Sequence, residues 1–252
     1  MTVTRTGPGA GAPRLSGIVA FLPTGYPDPD TFCELVDVIF DAGAGAIELG
    51  IALSRPTLDG PRVAAAFEQV AIDLDEQVGL IGAAASRGRI IAVVFASEAT
   101  AEQLDALLAR LATAGVWALF LPDLTMERQL EVMERAPLPL GLFVTAQRDL
   151  SLITEHRGRR PAFVYLRSSP RATGEPLDRE AAAERLADTR EALAGEVPLL
   201  VGFGVAEPGQ VAQLHAGGAD GIVVGSLLVE TVQDGAAAVA AQVRRLNAGM
   251  VG

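Results

Sequence analysis

Short apolar runs and longer amphipathic stretches alternate along nearly the whole chain. The runs fall at 17–23 (GIVAFLP), 45–51 (GAIELGI), 89–96 (RIIAVVFA), 116–122 (VWALFLP), 138–144 (LPLGLFV), 161–167 (PAFVYLR), 197–204 (VPLLVGFG) and 219–226 (ADGIVVGS). They lack strict apolar/polar alternation, which is the pattern of strands buried on both faces in a parallel sheet. Between them the apolar positions return at helical spacing. Phe32, Leu35, Val36 and Ile39 form one stripe of a helix ending near Ala42, with Asp30 or Thr31 able to cap it. The 63–86 stretch reads as mostly helical, with Gly79 and Gly82 weakening its end. Leu104, Leu107, Leu108 and Leu111 mark a helix over 98–114. Further helices are predicted at 125–135, near 149–156, at 178–193 and 208–216, and in a terminal segment through about Asn247.

Eight strands, each followed by a helical pattern, in 252 residues predict an α/β chain folded as a single (β/α)8 TIM barrel, whose usual size is about 250 residues. A doubly wound open sheet is the alternative. The opening 1–16, MTVTRTGPGAGAPRLS, is rich in Gly, Pro and Thr and reads as a flexible tail. The barrel domain is then 17–252. In such a barrel, chemistry belongs at the C-terminal ends of the strands.

Composition narrows the function. Half the residues are hydrophobic and only 5% aromatic, so the core should be aliphatic. The net charge of −11 argues against nucleic acid or an anionic membrane surface as a bulk partner, though a locally positive site can still hold a small anion. Cys33 is the only cysteine, which leaves no disulfide framework, and it reads as a buried position on the face of its helix. His156 and His215 lack metal-ligand spacing, so no metal and no cofactor is expected. No apolar run reaches about 18 residues and no leader pattern opens the chain, which makes a cytoplasmic enzyme the default expectation.

Two carboxylates and a set of late glycines are the candidates for chemistry. Glu48 lies within the second apolar run, between Ile47 and Leu49, where a carboxylate is costly unless paired or functional. Asp59 follows eleven positions later in an Asp-Gly-Pro turn. Two titratable groups at one strand and its loop suit general acid/base work. Glu48 bonded to a neighbouring strand, and Asp59 serving only its turn, are the structural alternatives. Thr173-Gly174, Gly202-Phe203-Gly204 and Gly225-Ser226 follow the last three strands, where backbone amides can approach a phosphate closely. Taken singly, each could equally be turn punctuation.

AGAGAIELGI…S-x-P…DGP (42–61) and VGFGV…P-x-Q…GADGIVVGS (201–226), with YLRSS…TG (165–174), resemble the tryptophan synthase alpha subunit family over about 17–245. The resemblance implies retro-aldol cleavage of indole-3-glycerol phosphate to indole and glyceraldehyde 3-phosphate. It implies that Glu48 protonates indole C3 and later helps deprotonate the glycerol hydroxyl, that Asp59 bonds the indole N–H, and that Tyr165 stands beside the glutamate. It further implies Phe21 in the indole pocket, Thr173 as the lid threonine, and Gly174, Gly204, Gly225 and Ser226 as the phosphate cradle.

The chain departs from the family where the family meets its β subunit. Ala52 stands in place of a proline and Arg55 in place of an aspartate; a reversed charge at an interface costs affinity. Phe95-Ala96-Ser97-Glu98 replaces Tyr-x-Asn-Pro, and Phe67 replaces a polar residue after the Asp-Gly-Pro turn. A β subunit is therefore the implied partner, with a stand-alone, indole-releasing lyase as the alternative. A barrel lyase acting on a related phosphorylated substrate, and a non-catalytic homologue, complete the competing readings.

Overall fold

The computed structural model describes residues 15–54, 60–156, 160–167, 179–193, 197–202 and 204–250. Eight parallel strands close into a barrel in chain order. They are β1 (Gly17–Pro23), β2 (Ala46–Ala52), β3 (Ile90–Phe95), β4 (Ala118–Phe120), β5 (Leu140–Val144), β6 (Val164–Arg167), β7 (Leu199–Gly202) and β8 (Gly221–Val224). The open-sheet alternative is excluded by the pairing of β8 with β1, with Gly17 opposite Gly221 and Val19 opposite Val223. Every residue from Ile18 to Leu22 is 6% exposed or less, as expected for a strand covered on both faces. No described helix is long and apolar enough to cross a membrane.

The helices lie where the 3.6-residue period puts them, with informative exceptions at their ends. Helix α1 (Pro29–Asp41) buries Phe32, Leu35, Val36 and Ile39. Its cap is Asp28, not Asp30 or Thr31. Pro29 needs no N–H donor at the first helical position, and the Asp28 carboxylate accepts from the Thr31 amide at 3.0 Å and its hydroxyl at 2.8 Å. The same register corrects Cys33. It falls off the buried stripe and is exposed, and partial desolvation, then the charges of Asp30 and Asp37, push its thiol up from the ordinary value.

The stretch expected as one helix is two, α2 (Pro61–Gln69) and α3 (Leu74–Ala85). Val70 turns extended, and Asp73 caps the second helix by accepting from the Glu76 amide at 2.9 Å. Gly79 and Gly82 lie inside α3 without ending it. Gly82 faces Ala114, just past the end of α4 (Ala101–Thr113), where a Cβ would make ordinary contact at 3.6 Å. The remaining helices are α5 (Met126–Arg135), α6 (Gln147–Glu155), α7 (Arg179–Ala192), α8 (Pro208–Ala216), α9 (Ser226–Thr231) and α10 (Ala236–Asn247).

Polar links fasten helices to strands. The buried Gln129 of α5 donates to the Leu124 carbonyl and accepts from the Phe143 amide, both at 2.9 Å. Asn247 donates to the carbonyls of Ala42 and Gly43 at 3.2 and 3.0 Å and accepts from the Ile18 amide at 3.4 Å, tying α10 to the entry of β1. Neither histidine stands apart from this framework: His156 contacts Glu134 at 2.7 Å, and His215 Nδ1 lies 3.1 Å from the Ala219 carbonyl. Of the proposed tail, Leu15 is buried and Ser16 exposed; 1–14 lie outside the described residues.

Candidate active site

Side chains on one strand alternate between the barrel interior and the helix layer. On β2 this sends Ile47, Leu49 and Ile51 to the helices. Glu48 and Gly50 take the other face, toward the barrel's C-terminal mouth. Glu48 is 3% exposed, opposite Phe21 on β1 and Ile91 on β3. A carboxylate is thus enclosed by strands that are otherwise apolar.

Phe21 connects Glu48 to the last strand. Its ring lies 3.6 Å from the position a Cβ on Gly225 would take. Gly225 precedes α9 and makes no side-chain cap, and Ser226 is the helix's first residue. Gly204 adopts φ +83°, a left-handed conformation that favours glycine, two residues past the end of β7.

Tyr165 occupies the opposite wall, 5% exposed. It stacks on Phe120 (ring centroids 4.9 Å, 9° between planes) and meets Phe143 edge-on at 5.6 Å. Its hydroxyl presses on Gly202: a Cβ there would lie 2.8 Å from Tyr165 Cζ and nearer still to the oxygen. Arg167 follows on the same face of β6, opposite Gly202. The Arg185 guanidinium of α7 is held below its ordinary value, first by desolvation and then by the charge of Arg167.

The rim beside Glu48 is fixed by hydrogen bonds. Leu53 and Ser54 both donate their amides to the Phe95 carbonyl at 2.9 Å. Ser54 Oγ accepts from the Glu98 amide at 2.8 Å, and the Asp123 carboxylate accepts from the amides of Ala96 and Ser97 at 3.1 and 2.7 Å.

Of the residues singled out in the sequence, the fold therefore brings Phe21, Glu48, Gly225 and Ser226 to one side of the mouth. Tyr165 lies on the wall that continues to Gly204. Asp59, Thr173 and Gly174, together with Arg55, lie outside the described residues. Phe120, Phe143 and Arg167 form part of this interior wall and were not picked out from sequence. Phe120 and Phe143 are apolar residues within apolar strands and give no local signal, although the inward alternation on β6 would have found Arg167.

A family model described as Tryptophan synthase alpha chain matches residues 11–251. This chain belongs to the tryptophan synthase alpha chain family. The tryptophan synthase alpha chain of Mycobacterium avium is 32% identical, covering 87% of this chain and 83% of its own length. That of Picosynechococcus is 31% identical over 86% and 85%. The structure of Mycobacterium tuberculosis tryptophan synthase superposes with a TM-score of 0.80 at 28% identity, covering 93% of this chain and 92% of that one. Tryptophan synthase alpha chains are lyases acting on indole-3-glycerol phosphate, and they pair with β subunits in complexes.

Proposed function

We propose that this chain cleaves indole-3-glycerol phosphate into indole and glyceraldehyde 3-phosphate, with Glu48 and Asp59 as the acid/base pair. The observation that carries the assignment of Glu48 is its burial on the inward face of β2, beside Phe21, in an apolar mouth. Glu48 delivers a proton to indole C3, and N1 becomes iminium-like. Asp59, accepting from the N–H, offsets that positive charge. The C3–glycerol bond then breaks. Its electron pair restores the C2–C3 double bond as N1 is neutralised, the glycerol hydroxyl returns its proton to Glu48, and its oxygen becomes the aldehyde carbonyl. Proton and electron counts close without a metal or an external oxidant.

In this reading Tyr165 stands beside the glutamate and Phe21 lies against the indole. Thr173 contacts Asp59 as the lid closes. Gly174, Gly204, Gly225 and Ser226 hold the phosphate through backbone amides and the start of α9. The aromatic walls support this role: Phe21 on one side, and Tyr165 stacked with Phe120 on the other, offer ring surfaces suited to a flat bicyclic ligand.

The reading is tested by indole release from the pure protein, alone and with a tryptophan synthase β subunit. Glu48→Gln and Asp59→Asn should each lower kcat by several orders of magnitude and leave substrate affinity little changed. Near-wild-type turnover in either variant would remove that residue from its role. The β subunit is the proposed partner; exposed Ala52 and the arginine at position 55 favour a second reading, a lyase that releases indole without one. Fast turnover by the protein alone distinguishes the second from the first.

A further inference from the structure

Phe67 has no task in the reaction above, yet it is built into the mouth. It leaves α2 and lays the tip of its ring over Gly50, 2.5 Å from the position a Cβ there would occupy. Gly50 is two residues beyond Glu48 on the same face of β2, so the ring lies directly above the carboxylate's strand. The Phe67 ring is also 6.3 Å from Phe21, tilted by 55°, and 5.5 Å from Phe95, edge-on at 87°. Phe21 and Phe95 are themselves buried, and the hydrogen-bonded rim holds Phe95 in place.

Phe67 also lines a pocket of about 470 Å³, together with Ala52, Leu53, Val70, Gln77 and Glu98. That volume is within the range of small-molecule sites, roughly 300–1,000 Å³. Phe67 thus borders both the strand that carries Glu48 and this pocket, and Gly50 is what leaves room for its ring.

We propose that Phe67 is a specificity-determining wall: it sets how large an aromatic ring the site accepts, admitting the unsubstituted indole and rejecting rings substituted on the side that meets it. That pocket is the space such a substituent enters once the wall is shortened. This inference rests on the lyase reading for its substrate class. The expected discrimination follows from one methyl group pressed against a packed wall, about 10–200-fold.

The experiment uses the full chain, wild type and the variants Phe67→Ala and Phe67→Leu, with melting temperatures recorded for each. Indole-3-glycerol phosphate and its mono-methyl isomers on the benzo ring are compared by kcat/KM. Binding of indol-3-ylpropyl phosphate, which lacks the hydroxyl needed for cleavage, is compared with its own methyl isomers by calorimetry. The wild type should disfavour at least one isomer tenfold or more. Phe67→Ala should raise that isomer relative to the parent compound by tenfold or more in both assays, and Phe67→Leu by less. Unchanged ratios in the folded Phe67→Ala protein overturn the proposal, as they do in Phe67→Leu if the alanine variant does not fold. A uniform fall for every compound overturns it too, because it marks a merely structural side chain. A binding shift without indole release from the wild type keeps the wall and removes the lyase reading; indole release without a shift does the reverse.

Discussion

Replacing Gly202 with alanine tests whether Tyr165 is held at one position or merely fills space. The new Cβ would lie 2.8 Å from Tyr165 Cζ and 3.2 Å from Val223 Cβ, with the Tyr165 oxygen closer than either. Ordinary contact begins at 3.4 Å, so Cζ must retreat by at least 0.6 Å (3.4 − 2.8). The ring cannot retreat freely, because Phe120 stacks on it at 4.9 Å and Phe143 abuts it at 5.6 Å. Overpacking of this kind costs about 1–3 kcal/mol. For a domain of this size a 2 kcal/mol loss lowers Tm by roughly 4–8 °C. A side chain displaced by about 1 Å at a reacting centre loses on the order of 10²-fold in rate. The assay is kcat and KM for indole release with Tm from calorimetry, in wild type, Gly202→Ala, Tyr165→Phe and the double variant. The double variant should be better than the sum of the singles by about 1 kcal/mol, since the hydroxyl that meets the new methyl is gone. A Gly202→Ala protein with wild-type kcat and unshifted Tm would refute the reasoning, as would strict additivity in the cycle.

Two further outcomes follow from the scaffold. The Asp28 carboxyl is held below its ordinary value of 3.8, mainly by the Thr31 amide and then by the Thr31 hydroxyl. A depressed native pKa stabilises the fold above the unfolded value and loses that contribution as pH falls through the native one. Asp28→Asn should therefore lower Tm at neutral pH, and the gap to wild type should narrow below about pH 4; a gap independent of pH between 2 and 7 would contradict the assignment. Arg190 of α7 donates to the Val197 carbonyl at 3.2 Å, to the Gly218 carbonyl and to Asp220 at 2.8 Å, while Asp220 also accepts from the Leu199 amide. Arg190→Met should cost about 2–3 kcal/mol, read as a lower midpoint in urea unfolding, and an unchanged midpoint would show that the link is idle.

The period of the apolar residues was enough to place all eight strands and most helices, because burial on both faces and burial on one face leave different spacings. What it could not place were features set by a single residue's surroundings. The α1 cap shifted to Asp28 because Pro29 begins the helix without needing a donor. The break at Val70 was hidden because Val, Ala and Ile continue the apolar pattern through it, and only Asp73 with Glu76 marks the restart. Cys33 was assigned to the core by residue type, yet its neighbours Phe32 and Leu35 own the buried face. At the site, Glu48 stood out because a carboxylate between Ile47 and Leu49 violates the local pattern. Phe67 and Phe95 stood out only as departures from the family pattern, since apolar residues break no local one, and their ring contact depends on tertiary packing that brings α2 to the end of β3.

The low aromatic content, 5%, predicted an aliphatic core, and for the layer between strands and helices that is what forms: Ile18, Leu22, Ile47, Leu49, Leu104, Leu108 and Val243 are buried there at 1% or less. Phe32 of α1 is an aromatic exception in that layer, and eight of the other aromatics are concentrated elsewhere. Phe21, Phe67 and Phe95 form one chain of ring contacts, and Trp117, Phe163, Phe120, Phe143 and Tyr165 form another. The first lies beside Glu48, and the second carries Tyr165 on the opposite wall. Aliphatic side chains interdigitate and suit a layer whose only requirement is density. Aromatic rings present flat faces and fixed edges with few rotamers to order, and so suit a wall that must keep its shape when a planar ligand leaves. Replacing the first group with leucines of similar bulk should therefore leave the barrel folded while loosening discrimination among ring isomers, whereas the same change in the strand–helix layer would alter stability and leave discrimination alone.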